Sequence, residues 1–127
     1  TGVFVAHAMF AEPILQVSTK LRDGPAQALS EFVATFGLIA TILGALRFRP
    51  DFTPVAVGLY ITAAYWFTAS TSFANPAVTI ARSLSATFAG IAPASAPAFI
   101  AAQLLAATSA AGFCGWIFAR RDLANVP

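Results

Sequence analysis

Three apolar stretches, residues 30–46, 54–70 and 96–119, set the strongest limit on what this chain folds into. Each is close to the length at which a helix crosses roughly 30 Å of hydrocarbon. A soluble domain needs a charged surface, yet only 9% of the 127 residues are charged and 58% are hydrophobic. The apolar faces are therefore expected to meet lipid. The fold class that follows is all-α, a polytopic helical membrane protein.

The ends of the stretches carry stop and start signals. The first opens at Ser30, read as an N-cap, after the turn-prone Asp23-Gly24-Pro25, and closes before Arg47 and Arg49. The second begins at Thr53-Pro54, where a first helical turn tolerates proline, and dissolves into Ser70-Thr71-Ser72. The third starts near Ser95-Ala96-Pro97 and ends at Trp116, Ile117 and Phe118, with Arg120 and Arg121 directly after. That aromatic and basic boundary is expected at a membrane interface. Residues 2–10 are already apolar with no basic segment before them, which does not read as a signal peptide. They read as the end of a membrane helix, over 1–11, whose beginning lies upstream. Residues 12–29 then form an outer connecting loop.

Residues 73–90 are too short to cross the membrane twice and too apolar for an aqueous loop, so they read as a re-entrant segment. Backbone that breaks its helix at membrane depth is tolerated only where it is buried in protein or lines a watery cavity. If the segment returns to the side it left, Arg47, Arg49, Arg120 and Arg121 share one side, and the positive-inside tendency makes that side cytoplasmic. The localisation expected is the cell membrane.

Several function classes drop out. A net charge of +2, with basic residues in short pairs rather than a patch, gives no argument for nucleic acid. Cys114 is the single cysteine, and neither it nor the lone His7 has neighbours at metal-ligand spacing. Both read as packed residues, and no metal or cofactor is expected. The few polar residues assemble no nucleophile, base and partner set, so the chain is not expected to be an enzyme. Small residues recur at helix-neighbour spacing: Gly37, Thr41 and Gly44, then Gly58 and Thr62, then Ala102, Ala106 and Ala110. Close helix packing accounts for them.

The chemistry lies in Asn75-Pro76-Ala77-Val78, a helix start in the middle of a hydrophobic protein. Asn75 suits the N-cap and Pro76 the first helical position. If the Asn75 oxygen caps the backbone N–H near Val78, its NH₂ group is left as a fixed donor aimed away from the helix. The helix end adds unpaired N–H groups and about half a positive charge, which orients a neutral oxygen-bearing solute and disfavours cations.

With Ser30-Glu31-Phe32-Val33-Ala34-Thr35-Phe36 opening the preceding span and Ala56-Val57-Gly58-Leu59 in the next, the triplet resembles the second repeat of the aquaporin and aquaglyceroporin family. The resemblance covers nearly the whole chain. It implies a passive channel for water or small neutral solutes, embedded in the bilayer and assembled as a homotetramer. It further implies a pore lined by Asn75, Pro76, Ala77, Val78, Arg82, Tyr65 and Ser72. Glu31 becomes an acceptor for backbone N–H groups of the re-entrant segment. Three departures matter. The chain has one triplet where the family has two, and Val78 stands where the family usually has its filter arginine, with Arg82 one turn further on. Tyr65 falls near the position that water-selective members fill with histidine and glycerol-conducting members with glycine. An apolar Val78 implies a wider filter, open to glycerol-like solutes or, by analogy with some bacterial relatives, undissociated arsenite. The alternatives are a secondary transporter with a broken helix, and a non-conducting membrane subunit or truncated channel.

Overall fold

The computed structural model describes residues 2–124, with side-chain surroundings to Ala119, so the side chains of Arg120 and Arg121 lie outside the described residues. The described residues are helical with no strand: α1 (Gly2–Met9), α2 (Pro25–Phe48), α3 (Thr53–Phe67), α4 (Pro76–Ser83) and α5 (Ala96–Ala124), with a 3₁₀ turn at Pro50–Phe52. Two of these, α2 and α5, are long and apolar enough to cross a membrane, and α3 has 15 residues.

Proline decides where α2 starts. Pro25 sits at the first helical position with Gly24 at the N-cap, so the helix opens five residues ahead of the Ser30 that the sequence reading had as its cap. Ser30 is corrected to a mid-turn residue whose hydroxyl accepts from the Ser70 N–H at 3.1 Å. At the other end of the 54–70 stretch, α3 stops at Phe67. Thr68 turns extended (φ −104°, ψ 137°), and its hydroxyl bonds the Ala64 carbonyl at 2.6 Å. The expected re-entrant stretch, 73–90, contains only eight helical residues, those of α4.

Contacts fix the directions of the helices. The α2 start meets the α5 start through Asp23 and Ser95, and the two ends meet through the Phe48 and Phe118 rings at 5.7 Å. Between these, Phe36 packs on Phe113 at 5.8 Å. Helices α2 and α5 therefore run parallel. Helix α3 runs against them, since Tyr60 reaches back to the Ala34 carbonyl at 3.0 Å and Ser70 to Ser30.

Ala102, Ala106, Ala110 and Cys114 are all buried along one face of α5, with Ala34 of α2 also buried. Small side chains let two helix backbones approach and gain dispersion contacts without any help from water. Gly37 serves the same end on α2, because a Cβ there would stand 2.7 Å from Tyr60 Cζ. Gly44 and Gly58 have open space beside them, so the small-residue reading does not hold for these two within the chain. The outward faces carry large apolar side chains such as Val33, Leu59, Leu104 and Leu105. Such a surface belongs in lipid.

After α4 the chain returns to the side on which α2 and α5 begin. Ala92 N–H donates to the Lys20 carbonyl at 2.7 Å and Ser18 N–H to the Ser83 carbonyl at 2.9 Å, so the loop between α1 and α2 lies across the end of α4. Gly90 permits this crossing: a Cβ there would press on the Ser18 side chain, with Ser18 Cβ 3.1 Å away.

Candidate functional site

Helix α4 begins with Asn75 as its cap, in extended conformation (φ −160°, ψ 124°), and Pro76 next. The Asn75 side-chain oxygen accepts from the Ala77 N–H at 2.8 Å, one residue short of the Val78 region that the sequence reading named. Its backbone carbonyl accepts from Thr79 N–H at 3.0 Å and from the Thr79 hydroxyl at 3.1 Å. Asn75 and Ala77 are exposed on this chain, and Pro76 and Val78 are half-buried. Val78 packs against the core cluster of Phe73, Ile91 and Phe99.

The loop before Asn75 needs support, since Thr71 (φ 61°), Ser72 (φ 47°) and Ala74 (φ 49°) all lie in the left-handed region without being glycine. Glu31 supplies it. Fully buried, it accepts from the Phe73 N–H at 3.2 Å and from the Ala74 N–H with the same carboxylate. Gln103 completes the arrangement, donating to Glu31 Oε1 at 2.9 Å and to Thr79 Oγ1 at 2.8 Å. One carboxylate and one amide thus join α2, α5, the strained loop and α4. Glu31 lies six residues along α2 from Pro25 and Gln103 seven along α5 from Ala96, which places the network about 10 Å in from the helix starts. A buried N–H left unpaired at such depth costs several kcal/mol in lipid-like surroundings.

Arg82 and Arg22 flank the same loop. The Arg82 guanidinium lies 4.3 Å from the centroid of Phe73, so it reaches back along α4 toward the loop that precedes Asn75. Arg22, buried, lies 5.2 Å from the same ring. It donates through Nε to the Gly90 carbonyl (2.8 Å), through Nη1 to Ser70 (3.1 Å) and through Nη2 to Phe88 (3.0 Å). Burial and then the like charge of Arg82 lower the Arg22 pKa, while Glu31 and Tyr65 raise it. Tyr65 is half-buried, stacked edge-on with Trp66. Ser72 is buried with no hydrogen-bond partner for its hydroxyl, as is the Thr71 hydroxyl, and Arg82 Nη1 is likewise buried and unpartnered.

The structure brings Asn75, Val78, Arg82, Ser72 and Glu31 around one loop and one helix start, with Tyr65 near enough to act on the charges of Arg22 and Arg82. Sequence reasoning missed two members. Gln103 carried a usable signal, being the one amide in an apolar span. Arg22 carried none, because a basic residue beside Lys20 and Asp23 reads as solvated loop. His7, without a partner in the sequence, has two here: its Nδ1 donates to the Ile14 carbonyl at 3.0 Å and its Nε2 faces Ser85 Oγ at 3.3 Å. It borders a cavity of about 380 Å³ with Glu12, Gln16 and Thr87. No group of metal-binding side chains occurs among the described residues.

These features define the class: an all-helical protein with two helices long and apolar enough to cross a membrane, and a short capped helix whose preceding loop is held by buried polar groups. The chain is 58% identical over 116 residues to the aquaglyceroporin AqpS of Rhizobium meliloti (strain 1021), an alignment covering 91% of this chain and 50% of that protein. The chain thus spans about half the length of the relative it matches. No family model matches, and no solved structure does. Over most of its length the chain is thus similar to half of an aquaglyceroporin.

Proposed function

We propose that the protein to which this chain belongs is a passive channel for water and small neutral solutes, its pore passing the start of α4. The observation that carries this is the exposed Asn75 cap, set at the end of a loop whose N–H groups end on buried Glu31. The cap uses the amide oxygen, so the NH₂ group remains to donate to a passing oxygen. The helix start adds about half a positive charge, which orients such an oxygen and opposes cations. Asn75, Pro76, Ala77, Val78, Tyr65, Ser72 and Arg82 are the proposed lining, and Glu31 holds the loop without reacting. Val78 offers only methyl groups, so the filter is wide enough for glycerol-like solutes, undissociated arsenite among them. The relative's description as an aquaglyceroporin points the same way. Assembly as a homotetramer, with one pore per protomer, belongs to this reading, and no catalysis does.

Light-scattering relaxation of vesicles holding the full-length protein tests it. An impermeant osmolyte is expected to drive fast shrinkage, and glycerol fast re-swelling. Asn75→Asp, which replaces a donor by an anion, is expected to slow glycerol entry about tenfold, the equivalent of one hydrogen bond. Saturable uptake coupled to an ion gradient would replace the channel by a transporter, and flux equal to that of empty vesicles would sink both.

A further inference from the structure

Two guanidinium groups share one aromatic ring in this structure, and the single Glu31 carboxylate is the anion that acts on both, so positive charge is in excess there. Arg22 spends its hydrogen bonds on three neutral carbonyls, those of Ser70, Phe88 and Gly90. Arg82 has its Nη1 buried without a partner, and its guanidinium lies over the Phe73 ring. Phe73 is two residues ahead of Asn75, so both charges stand beside the strained loop that leads into the half-helix. We propose that Arg22 and Arg82 form a fixed cationic clamp on Phe73 that sets the charge selectivity of the pore, with Arg22 reaching in from the outer loop. The inference rests on the channel reading above.

Geometry favours this over a purely mechanical role. Residue 78, directly after the triplet, is apolar and packs against the core, and the cations beside the loop that leads into the helix start are Arg22 and Arg82. Arg22 is 5% exposed and tied to segments on both sides of α4, Ser70 before it and Phe88 and Gly90 after it. It cannot swing away as a surface arginine does. A planar fork of fixed donors suits this task, whereas a lysine offers one point of charge. The aromatic face lowers the cost of holding both cations close together. A cation entering past the loop then meets two fixed positive charges, of which Glu31 offsets one, in addition to the helix dipole, in a setting where water screens poorly. Neutral solutes meet no such barrier.

The test uses vesicles holding the full-length protein, with glycerol flux read by light scattering and proton entry under a potassium gradient read by a trapped pH dye. Parent, Arg82→Gln, Arg22→Gln and Arg22→Lys are compared by the ratio of cation to glycerol permeability. Each glutamine variant is expected to raise that ratio roughly tenfold, the effect of one charge removed at about 10 Å in a poorly screened site. Arg22→Lys keeps the charge and loses the fork, so its ratio stays near the parent's while its thermal stability falls. Glutamine variants that conduct glycerol at the parental ratio overturn the clamp. So does an Arg22→Lys ratio equal to that of Arg22→Gln, which would make Arg22 a tether alone. If Arg22→Gln does not fold, Arg82→Gln and Arg22→Lys decide by the same criteria. A parent without glycerol or water flux removes the channel reading and the clamp with it, whereas parental flux with unmoved ratios removes the clamp only.

Discussion

The two ends of the helix pair α2 and α5 are built on different principles. Near their starts, Glu31, Gln103, Ser95, Asp23 and Arg22 bond across helices and loops, each fixing a partner more than 40 positions away in sequence. Toward their ends the same helices meet through Phe36, Phe113, Phe48, Phe118 and a row of alanines. The first region holds buried, irregular backbone and must satisfy it with specific groups. The second is unbroken helix, satisfied internally, and needs only shape. A substitution at the polar end should therefore cost by the number of groups it leaves unpaired, and one at the apolar end by the volume it disturbs.

The sharpest way to break the polar end is Glu31→Ala. It strands the buried Phe73 and Ala74 N–H groups and removes one of the two acceptors of the buried Gln103 amide. The expected loss is about 3 kcal/mol or more. A fall in the thermal midpoint of the detergent-solubilised protein would show it, together with loss of solute flux. Glu31→Gln keeps one acceptor oxygen and is expected to fall between parent and alanine. If Glu31→Ala unfolds with the parent, the left-handed loop is held by something other than this carboxylate.

At the apolar junction the corresponding break is Gly37→Ala. One methyl group there meets the Tyr60 ring, with Cζ at 2.7 Å and Cε2 at 2.9 Å, so α3 has to shift or the ring has to turn. Overpacking of this kind costs about 1–3 kcal/mol. Tyr60 also donates to the Ala34 carbonyl, so the damage includes that bond. A double-mutant cycle with Tyr60→Ala, read as thermal midpoints, should recover most of the loss. No recovery would mean that Gly37 matters for backbone reasons instead.

How much of this was legible beforehand follows the same division. The apolar runs displayed α2 and α5 plainly, because length and hydropathy are local properties, and Asn75-Pro76 displayed the start of α4 because capping chemistry is local too. Pro25 was equally local, and its pull on the start of α2 was underrated in favour of Ser30, whose hydroxyl turns out to serve Ser70. Arg22 was not legible at all. What makes it buried is the return of residues 88–90 against the loop before α2, a long-range event with no trace in the spacing of charges. Glu31 was legible through the family resemblance, and Gln103 would have been through its isolation among apolar neighbours.

A smaller break tests the network's second partner. Gln103→Leu keeps the volume near that of the amide but removes both donated hydrogen bonds, leaving Glu31 and Thr79 each one partner short. Glu31 still accepts two N–H groups and Thr79 still donates to Asn75. The expected cost is therefore about 1–2 kcal/mol, below that of Glu31→Ala. A cost as large as that of Glu31→Ala would show that the carboxylate depends on the amide for its position.

The smallest effect discriminates the two regions within a single helix. Ser95 stands at the start of α5, where its hydroxyl donates to Asp23 Oδ1 at 2.5 Å and accepts from the Arg22 N–H at 3.2 Å. Thr108, further along α5, is exposed, and its hydroxyl returns to the carbonyls of Leu104 and Leu105 in its own helix. Ser95→Ala is expected to cost about 1 kcal/mol, because a backbone N–H and a carboxylate both lose a partner. Thr108→Ala is expected to stay within about 0.5 kcal/mol, because each carbonyl keeps its helical bond and alanine is the better helix former. The two midpoints, measured side by side in the same detergent, give the comparison directly. If they move equally, hydroxyl loss alone sets the cost and the polar end has no special claim on its partners. If only Ser95→Ala moves, the outer loop is held at the start of α5 by that hydroxyl, and Arg22 owes its fixed position partly to its own backbone.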